Sequence, residues 1–563
     1  MNPPSGPLRH ALLLLLALAV AAGCRTESTN VTAPAAEAPA DGLSAALAAI
    51  DTTTLYRHMA TLAADSMEGR GTGTPGEERA VNYIRAEMER IGLEGGAPGG
   101  GFFQAVPLRG KTPQNVSDLR LRSARGEEAV FAFFDDFILS SERPDTRAAL
   151  DGELVFVGYG ISNPGYDWDD YKDVDVAGRI LVGFVNEPPA TAEEPGLFQA
   201  DTLTYNGRWT YKYEEARRRG ARGMFLIHTD EMAGYGFQVL QGSARGEHVM
   251  LDAPLENALA LRGWITQPTA ERLARMAGTT LEAWKAAAAR RDFRPQPLGV
   301  SAQVEATFTA RTFTGTNVIG VLRGRDRQDE GVLYTAHHDH LGMRDGEIYN
   351  GAVDNAAGVA KLLAIAEGFA RLAERPRRSV YFATVTAEEN GLLGSAYLAQ
   401  NPPIAAAGLI ANINLDAGNL YGETEDIVGI GAERSELMRY FRQAAEDEGL
   451  TVSPDAQPGQ GFFFRSDQLS FAREGVPGVF VNTGTRFVGQ PASYADSVFA
   501  AYNRDRYHQP DDVMHEGMRF GGLAQQARVA LRLGHRLADS DARPAWNDAE
   551  PFAETRRRSE GRD

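Results

Sequence analysis

The 563-residue chain has one cysteine, Cys24. No internal disulfide can form, and no thiolate serves catalysis or a metal. A basic surplus is missing too: 57 Lys+Arg stand against 75 Asp+Glu, a formal net charge of -18. That balance argues against a nucleic-acid partner, whose phosphates require basic surface. The one long apolar run near the start, Ala11 to Val20, is too short to persist as a bilayer-spanning helix. No repeat of fixed period is visible. What the chain does have is globular material, 43% hydrophobic and 23% charged, enough to build a core at a length that calls for two or three domains.

The N-terminus, "MNPPSGPLRHALLLLLALAVAAGC", joins a short basic start to an apolar core and small residues before Cys24, the pattern of an export signal. "AAGC" resembles the lipobox of bacterial lipoproteins. That resemblance implies a signal peptide over residues 1–23 and a lipidated Cys24 that tethers the protein to a membrane without spanning it. Arg25 is not the Asp associated with inner-membrane retention, so a cell-envelope lipoprotein of the outer membrane, facing the periplasm, is expected. Residues 24–42, polar and rich in Ala, Pro and Thr, read as a flexible tether.

From Leu43 the pattern turns helical, opening the first part of the main domain (43–144). "TPGEERAVNYIRAEMERIGLEGG" carries a capping box in Thr74 and Glu77, a proline at the first helical position and Gly92 as its stop. Between 145 and 298 the texture changes to short strands ("GELVFVGYGI", "GRILVGFV") and a helix leading into a strand ("YKYEEARRRGARGMFLIH"), with few clustered polar residues. This reads as an inserted, β-rich domain without chemistry of its own. Over 299–540 the main domain resumes. From Gly331, continuous apolar runs alternate with helical patterns, the signature of an α/β fold with a mostly parallel or mixed sheet flanked by helices. Residues 541–563 are charged and are expected to be a disordered tail.

The chemistry gathers where apolar runs stop. "VLYTAHHDHLG" ends in His337 and Asp339, "VYFATVTAEEN" in Glu388 and Glu389, and "IANINLDAGN" in Asp416. Asp354 in "NGAVDNAAG" precedes an amphipathic helix, and "DRYHQPDDV" supplies His508 from a polar loop. Sites in open α/β sheets form beyond the carboxyl ends of the strands, so these side chains should converge. Converging carboxylates repel unless a cation sits among them, and two imidazoles with several carboxylates suit zinc, with cobalt or manganese possible. Singly, each residue has an ordinary reading, such as a structural histidine, a helix cap or a turn aspartate. Jointly, at strand ends in one half of the chain, they predict a metal site.

The series "AHHDHLG … NGAVDNAAG … TAEENGLLGS … INLDAGN … YHQPDD" resembles the co-catalytic zinc aminopeptidase family, which includes bacterial leucine aminopeptidases, glutamate carboxypeptidases and transferrin receptors. "MEGRGTGTPGEERAVNYI" echoes that family's N-terminal pattern, and the insert resembles a protease-associated domain. The resemblance implies two Zn2+ ions bridged by Asp354. His337 and Asp416 complete one site, and Glu389 with His508 the other. It further implies that Asp339 orients His337, that Glu388 is the general base, and that Tyr507 donates to the developing oxyanion. The expected partners are peptides with a free N-terminus; oligomeric state stays open. A carboxypeptidase, a glutaminyl cyclase and a metal-free receptor-like binding protein are the alternatives on this fold. Gln468 stands where histidine is frequent, and His340 and His515 match no ligand position and read as ordinary polar residues.

Overall fold

The computed structural model describes residues 42–561 apart from 234, 235 and 549. The expected signal peptide, Cys24 and all but the last residue of the expected tether lie outside them. Among the described residues no helix is long and apolar enough to cross a membrane.

The helix Pro75–Ile91 begins and ends where its caps lie. Thr74 accepts the Glu77 N–H on its side chain, and Gly92 takes the left-handed conformation at φ 91° that closes the last turn. The Glu77 carboxylate departs from the expected box. It accepts the N–H of Gly73 at 2.5 Å and the hydroxyl of Thr386, so the cap also ties this helix to the end of a central strand. Its apolar face, Ala80, Val81, Ile84 and Met88, is buried against the sheet.

Seven strands carry the architecture: β1 (Phe103–Val116), β2 (Gln296–Leu322), β3 (Arg327–His337), β4 (Arg378–Val385), β5 (Leu409–Asn414), β6 (Asp426–Ile430) and β7 (Gly478–Thr483). They lie in the order β1-β2-β4-β3-β5-β7-β6. The four middle strands β4, β3, β5 and β7 run parallel, while β2 and β6 run antiparallel to their neighbours. Side chains alternate across the sheet, as the strand period requires. Val332, Tyr334 and Ala336 of β3 pack towards the helices Ala357–Ala370 and Gly521–Ala538, whereas Leu333 of β3 and Tyr381, Ala383 and Val385 of β4 pack towards Leu393–Gln400 and Gln468–Arg473. Helices on both faces explain the unbroken apolar runs read in the sequence.

Two expectations are corrected by the structure. The insert is wider than 145–298: Leu119, Leu121, Phe137 and Leu139 before it, and Val300, Val304 and Phe308 after it, share one apolar cluster with Leu154, Phe156 and Trp284. The reason is β2, one continuous strand whose first half pairs with the insert (Gln303 opposite Asp151) and whose last residues pair with β4 (Leu322 opposite Val380). Its alternation carries no punctuation at the border. The second correction concerns the tail. The described residues of 541–561 are folded, with a helix Ala553–Ser559, and Trp546 and Phe552 are buried against Phe463 and Phe464. The Arg556 guanidinium donates to the carbonyls of Ala406 and Leu409, both at 3.0 Å, and Arg434 pairs with Glu550 at 3.1 Å. The charged composition that suggested disorder is here spent on buried partners.

Candidate metal centre

Strand β3 ends at His337, which is buried. Beside it, β4 stops at Val385, and Ala387 takes a left-handed φ of 54°. The chain therefore leaves the sheet before Glu388 and Glu389, which frees both side chains from strict alternation. Beyond β5 lies Asp416, and Asp354 sits just ahead of the helix Ala357–Ala370. His508 arrives from the loop after the helix Tyr494–Asp505, itself at a left-handed φ of 57°.

All five expected ligands meet. His337 Nε2 lies 3.1 Å from Asp416 Oδ1 and 3.2 Å from Asp354 Oδ1. His508 Nε2 lies 3.3 Å from Asp354 Oδ2 and 3.1 Å from Glu389 Oε2. Asp354 thus turns one oxygen to each group. The Nδ1 of His337 faces the main-chain carbonyl of Asp339 at 3.2 Å, so its proton belongs there and Nε2 presents a lone pair. Acceptor atoms held this close repel one another unless a cation lies among them. Two donors bound tetrahedrally to one zinc ion at about 2.0–2.1 Å stand about 3.3 Å apart, which is the spacing found. The residues fit a pair of metal ions.

The carboxylates of the site also attract protons, which compete with a metal for the same imidazole nitrogens. Burial opposes charge on His337, yet Glu388 and Asp416 outweigh it and hold the imidazole well above its ordinary value. His508 is likewise lifted to about 10 against burial, by Glu389 and Asp354. Asp354 is kept well below the usual carboxylate range, with His337 and His508 overcoming burial. Glu389 is lowered to about 2, against burial and Asp354, by His508 and His340. Glu388 goes the other way: burial pushes its carboxyl well above the ordinary value, His337 opposing and Asp416, Asp467 and Glu389 adding to it.

Asp339 acts differently from the expectation. Its carboxylate is 3.8 Å from His337 Nδ1, beyond hydrogen-bond reach, and it is the main-chain carbonyl that orients the ring. The carboxylate instead accepts the N–H groups of Glu388 at 3.1 Å and Glu389 at 3.3 Å, plus the Thr72 hydroxyl at 3.3 Å. It therefore fixes the turn that carries both glutamates. Tyr507 is 40% exposed, and its ring stacks on that of His508 with centroids 4.0 Å apart. Desolvation of its hydroxyl end, then Asp354 and Glu389, keep that hydroxyl protonated well above its ordinary range. Gln468 is buried and structural, bridging Asn414 Nδ2 at 2.8 Å and the Phe463 carbonyl at 2.7 Å. His515 makes only a local bond to the Gly517 N–H.

Several residues that hold the site together escaped the sequence reading. Arg70, fully buried, donates to four carbonyls: His338 at 2.7 Å, Leu62 and Asn350 at 2.6 Å, and Gly351 at 2.9 Å. Asn355 Nδ2 donates to His337 O and Leu415 O, and its Oδ1 accepts from Gly358 and Ala417. Asp512 accepts the N–H groups of Val353 and Asp354 at about 3.1 Å. Ser466 donates to Asp416 Oδ2 at 2.6 Å. Next to it, Asp467 is buried and its carboxyl is raised to about 7, by burial first. His340, read as ordinary, lies within the second group beside Glu389 and Asp354. Arg70, Asp467 and Asp512 stand inside the motifs "MEGRG", "RSDQ" and "HQPDD", so the available signal was their place in a motif; their partners were not readable.

A probable zinc metalloprotease of Pyrenophora teres f. teres (strain 0-1) is 30% identical over 218 residues, 37% of this chain and 44% of that protein. Aminopeptidase NAALADL1 of Mus musculus is 36% identical over 103 residues, 18% of this chain and 13% of that one. The chain thus spans less than half the length of these curated relatives. Among solved structures, the aminopeptidase of Aneurinibacillus sp. strain AM-1 aligns over 90% of this chain and 98% of its own, at 18% identity and a TM-score of 0.49. The sequence profile of Peptidase family M28 matches residues 317–533. That span holds all five of the converging side chains expected as ligands, and over it the chain is similar to peptidase family M28.

Proposed function

We propose that this protein is a two-zinc aminopeptidase that removes N-terminal residues from peptides. The observation that carries the proposal is Asp354, whose two oxygens face two separate groups, His337 with Asp416 and His508 with Glu389. These five side chains would hold the metals. Bound there, zinc supplies a Lewis acid for the scissile carbonyl and brings the pKa of water towards neutrality. Glu388, on the turn fixed by Asp339, takes the proton from the attacking water at its carboxylate and returns it to the leaving amine. The Tyr507 hydroxyl donates to the carbonyl oxygen as negative charge develops there. Buried Asp467 and half-buried Glu388 add carboxyl groups near the converging side chains, which favours a substrate ammonium over a substrate carboxylate at that end. The carboxypeptidase reading has one observation of its own, the exposed Arg465, whose charge reaches Tyr507.

The test is a panel of aminoacyl chromogenic substrates, free and amino-blocked, with and without chelator, repeated on Glu388→Gln. Free-amine substrates should be cleaved, chelation should abolish turnover, and Glu388→Gln should lose about 10²–10⁴-fold in kcat while keeping its metal. Preference for amino-blocked substrates with a free carboxylate would transfer the assignment to the carboxypeptidase, with Arg465→Ala as its check.

For the rest of the chain we infer export and lipidation at Cys24, with the anchor in the outer membrane facing the periplasm. Incorporation of a labelled fatty acid that disappears in Cys24→Ala checks this. The insert is read as a protease-associated domain that governs access. Its contacts with the loop preceding Ser466 and with the helix Gln468–Arg473 after it support that role: Leu203 N–H donates to the Pro458 carbonyl at 3.2 Å, and Glu214 pairs with Arg473 at 2.8 Å.

A further inference from the structure

His340 is a histidine beside the centre, in contact with Glu389, that the five-ligand set leaves without a role. It is 2% exposed. Its ring lies close to Gly351, where an added Cβ would come within 2.5 Å of it, and its main-chain N–H donates to the Arg70 carbonyl at 3.4 Å. Its position is therefore built rather than incidental. Nδ1 lies 2.7 Å from Glu389 Oε1, while Nε2 is buried without a hydrogen-bond partner.

Two roles are open to such a histidine, metal ligand or donor to a ligand, and the distances separate them. The five ligands approach each other at 3.1–3.3 Å, close to the spacing of about 3.3 Å for donors sharing one zinc. The 2.7 Å between His340 and Glu389 is shorter, and it is the length of a charge-assisted N–H···O bond. A nitrogen lone pair facing a carboxylate oxygen at that range would be repulsive, so Nδ1 carries the proton and donates it. The leftover Nε2 is then an unpaired acceptor, less costly to bury than an unpaired N–H.

We propose that His340 is a positioning residue for Glu389. By holding Oε1, it leaves Oε2 as the oxygen presented to His508, and so fixes how the second metal position is formed. The inference rests on the two-metal reading above and adds to it which oxygen of Glu389 serves the metal and what selects it.

The test measures zinc binding to the apo full-length protein by competition with a chromophoric chelator, alongside total metal content. Wild type should bind two ions. In His340→Leu the weaker site should lose about 10–100-fold in affinity with the tighter site unchanged, and that retained site with a native near-ultraviolet spectrum reports that the variant folds. His340→Asn puts an amide N–H where Nδ1 was and should restore affinity to within about threefold of wild type. His340→Gln places its nitrogen nearer the Nε2 position and should behave like Leu. Equal loss in Asn and Leu would overturn the proposal and make His340 a direct ligand. Wild-type affinity in Leu would overturn it outright. Fewer than two ions in wild type would instead sink the two-metal reading beneath it, and the proposal with it.

Discussion

Arg70 gives the sharpest test of how the site is held. Its guanidinium is fully buried and donates to four main-chain carbonyls, those of Leu62, His338, Asn350 and Gly351. Two of these belong to the loop leading into Asp354, and one follows His337 directly. Burial lowers its pKa to about 10, so the group stays charged at neutral pH, with Asp512 and Asp339 supporting it. In Arg70→Met all four carbonyls lose their donor. At about 1–3 kcal/mol for each buried acceptor left unmade, the loss without relaxation is about 4–12 kcal/mol, and rehydration reduces it to about 3–5 kcal/mol. That is a large share of the about 5–15 kcal/mol by which domains are stable. Arg70→Lys keeps the charge but has three donors on one nitrogen and should lose about 1–3 kcal/mol. Urea unfolding of the apo proteins measures both, and zinc affinity follows in parallel, since the same carbonyls set the ligand loops. A cost below about 1 kcal/mol for Arg70→Met, or an Arg70→Met protein with wild-type zinc affinity, would refute the reasoning.

Other expectations follow from single observations. Asp512→Asn exchanges one of the two acceptor oxygens facing the Val353 and Asp354 N–H groups for an N–H donor, and should weaken zinc binding by about tenfold; unchanged affinity would remove Asp512 from the positioning set. Lys361 is buried with no partner for Nζ, and burial lowers its pKa to about 7. Lys361→Met should therefore stabilise the fold by about 1–3 kcal/mol, and a lower melting temperature would contradict it. His58 is buried, its pKa lowered to about 4 by burial and then by Arg57. A depressed histidine favours the native state above pH 6.5, and that stabilisation is lost as the pH falls towards 4, by about 3 kcal/mol in all. The stability–pH curve of His58→Gln should be flatter across this window, and an unchanged slope would reject the assignment. Removing metal from wild type leaves five acceptors facing one another, so the apo protein should melt lower than the loaded one, by calorimetry at fixed protein concentration.

The sequence by itself determined the alternation of buried strands with helices, the capped helix Pro75–Ile91, and five side chains expected to converge, three just after strand runs, one ahead of a helix and one in a loop. Each of these is written in local periodicity or in residue types that make no sense in a core, so position along the chain was enough. What only the tertiary structure decided was partnership. Asp339 lies two residues from His337, yet its carboxylate serves the main chain of Glu388 and Glu389 instead. His340 stood in the opening motif, but its role depends on Glu389, 49 residues away. Arg70 gathers carbonyls up to 281 residues distant. The tail looked disordered because charge content is local, while the carbonyl that receives its Arg556 and the guanidinium of Arg434 that pairs with its Glu550 come from elsewhere in the chain. Hydrogen-bond partners are chosen by proximity in space, and spacing along a sequence records which groups are present long before it records which of them meet.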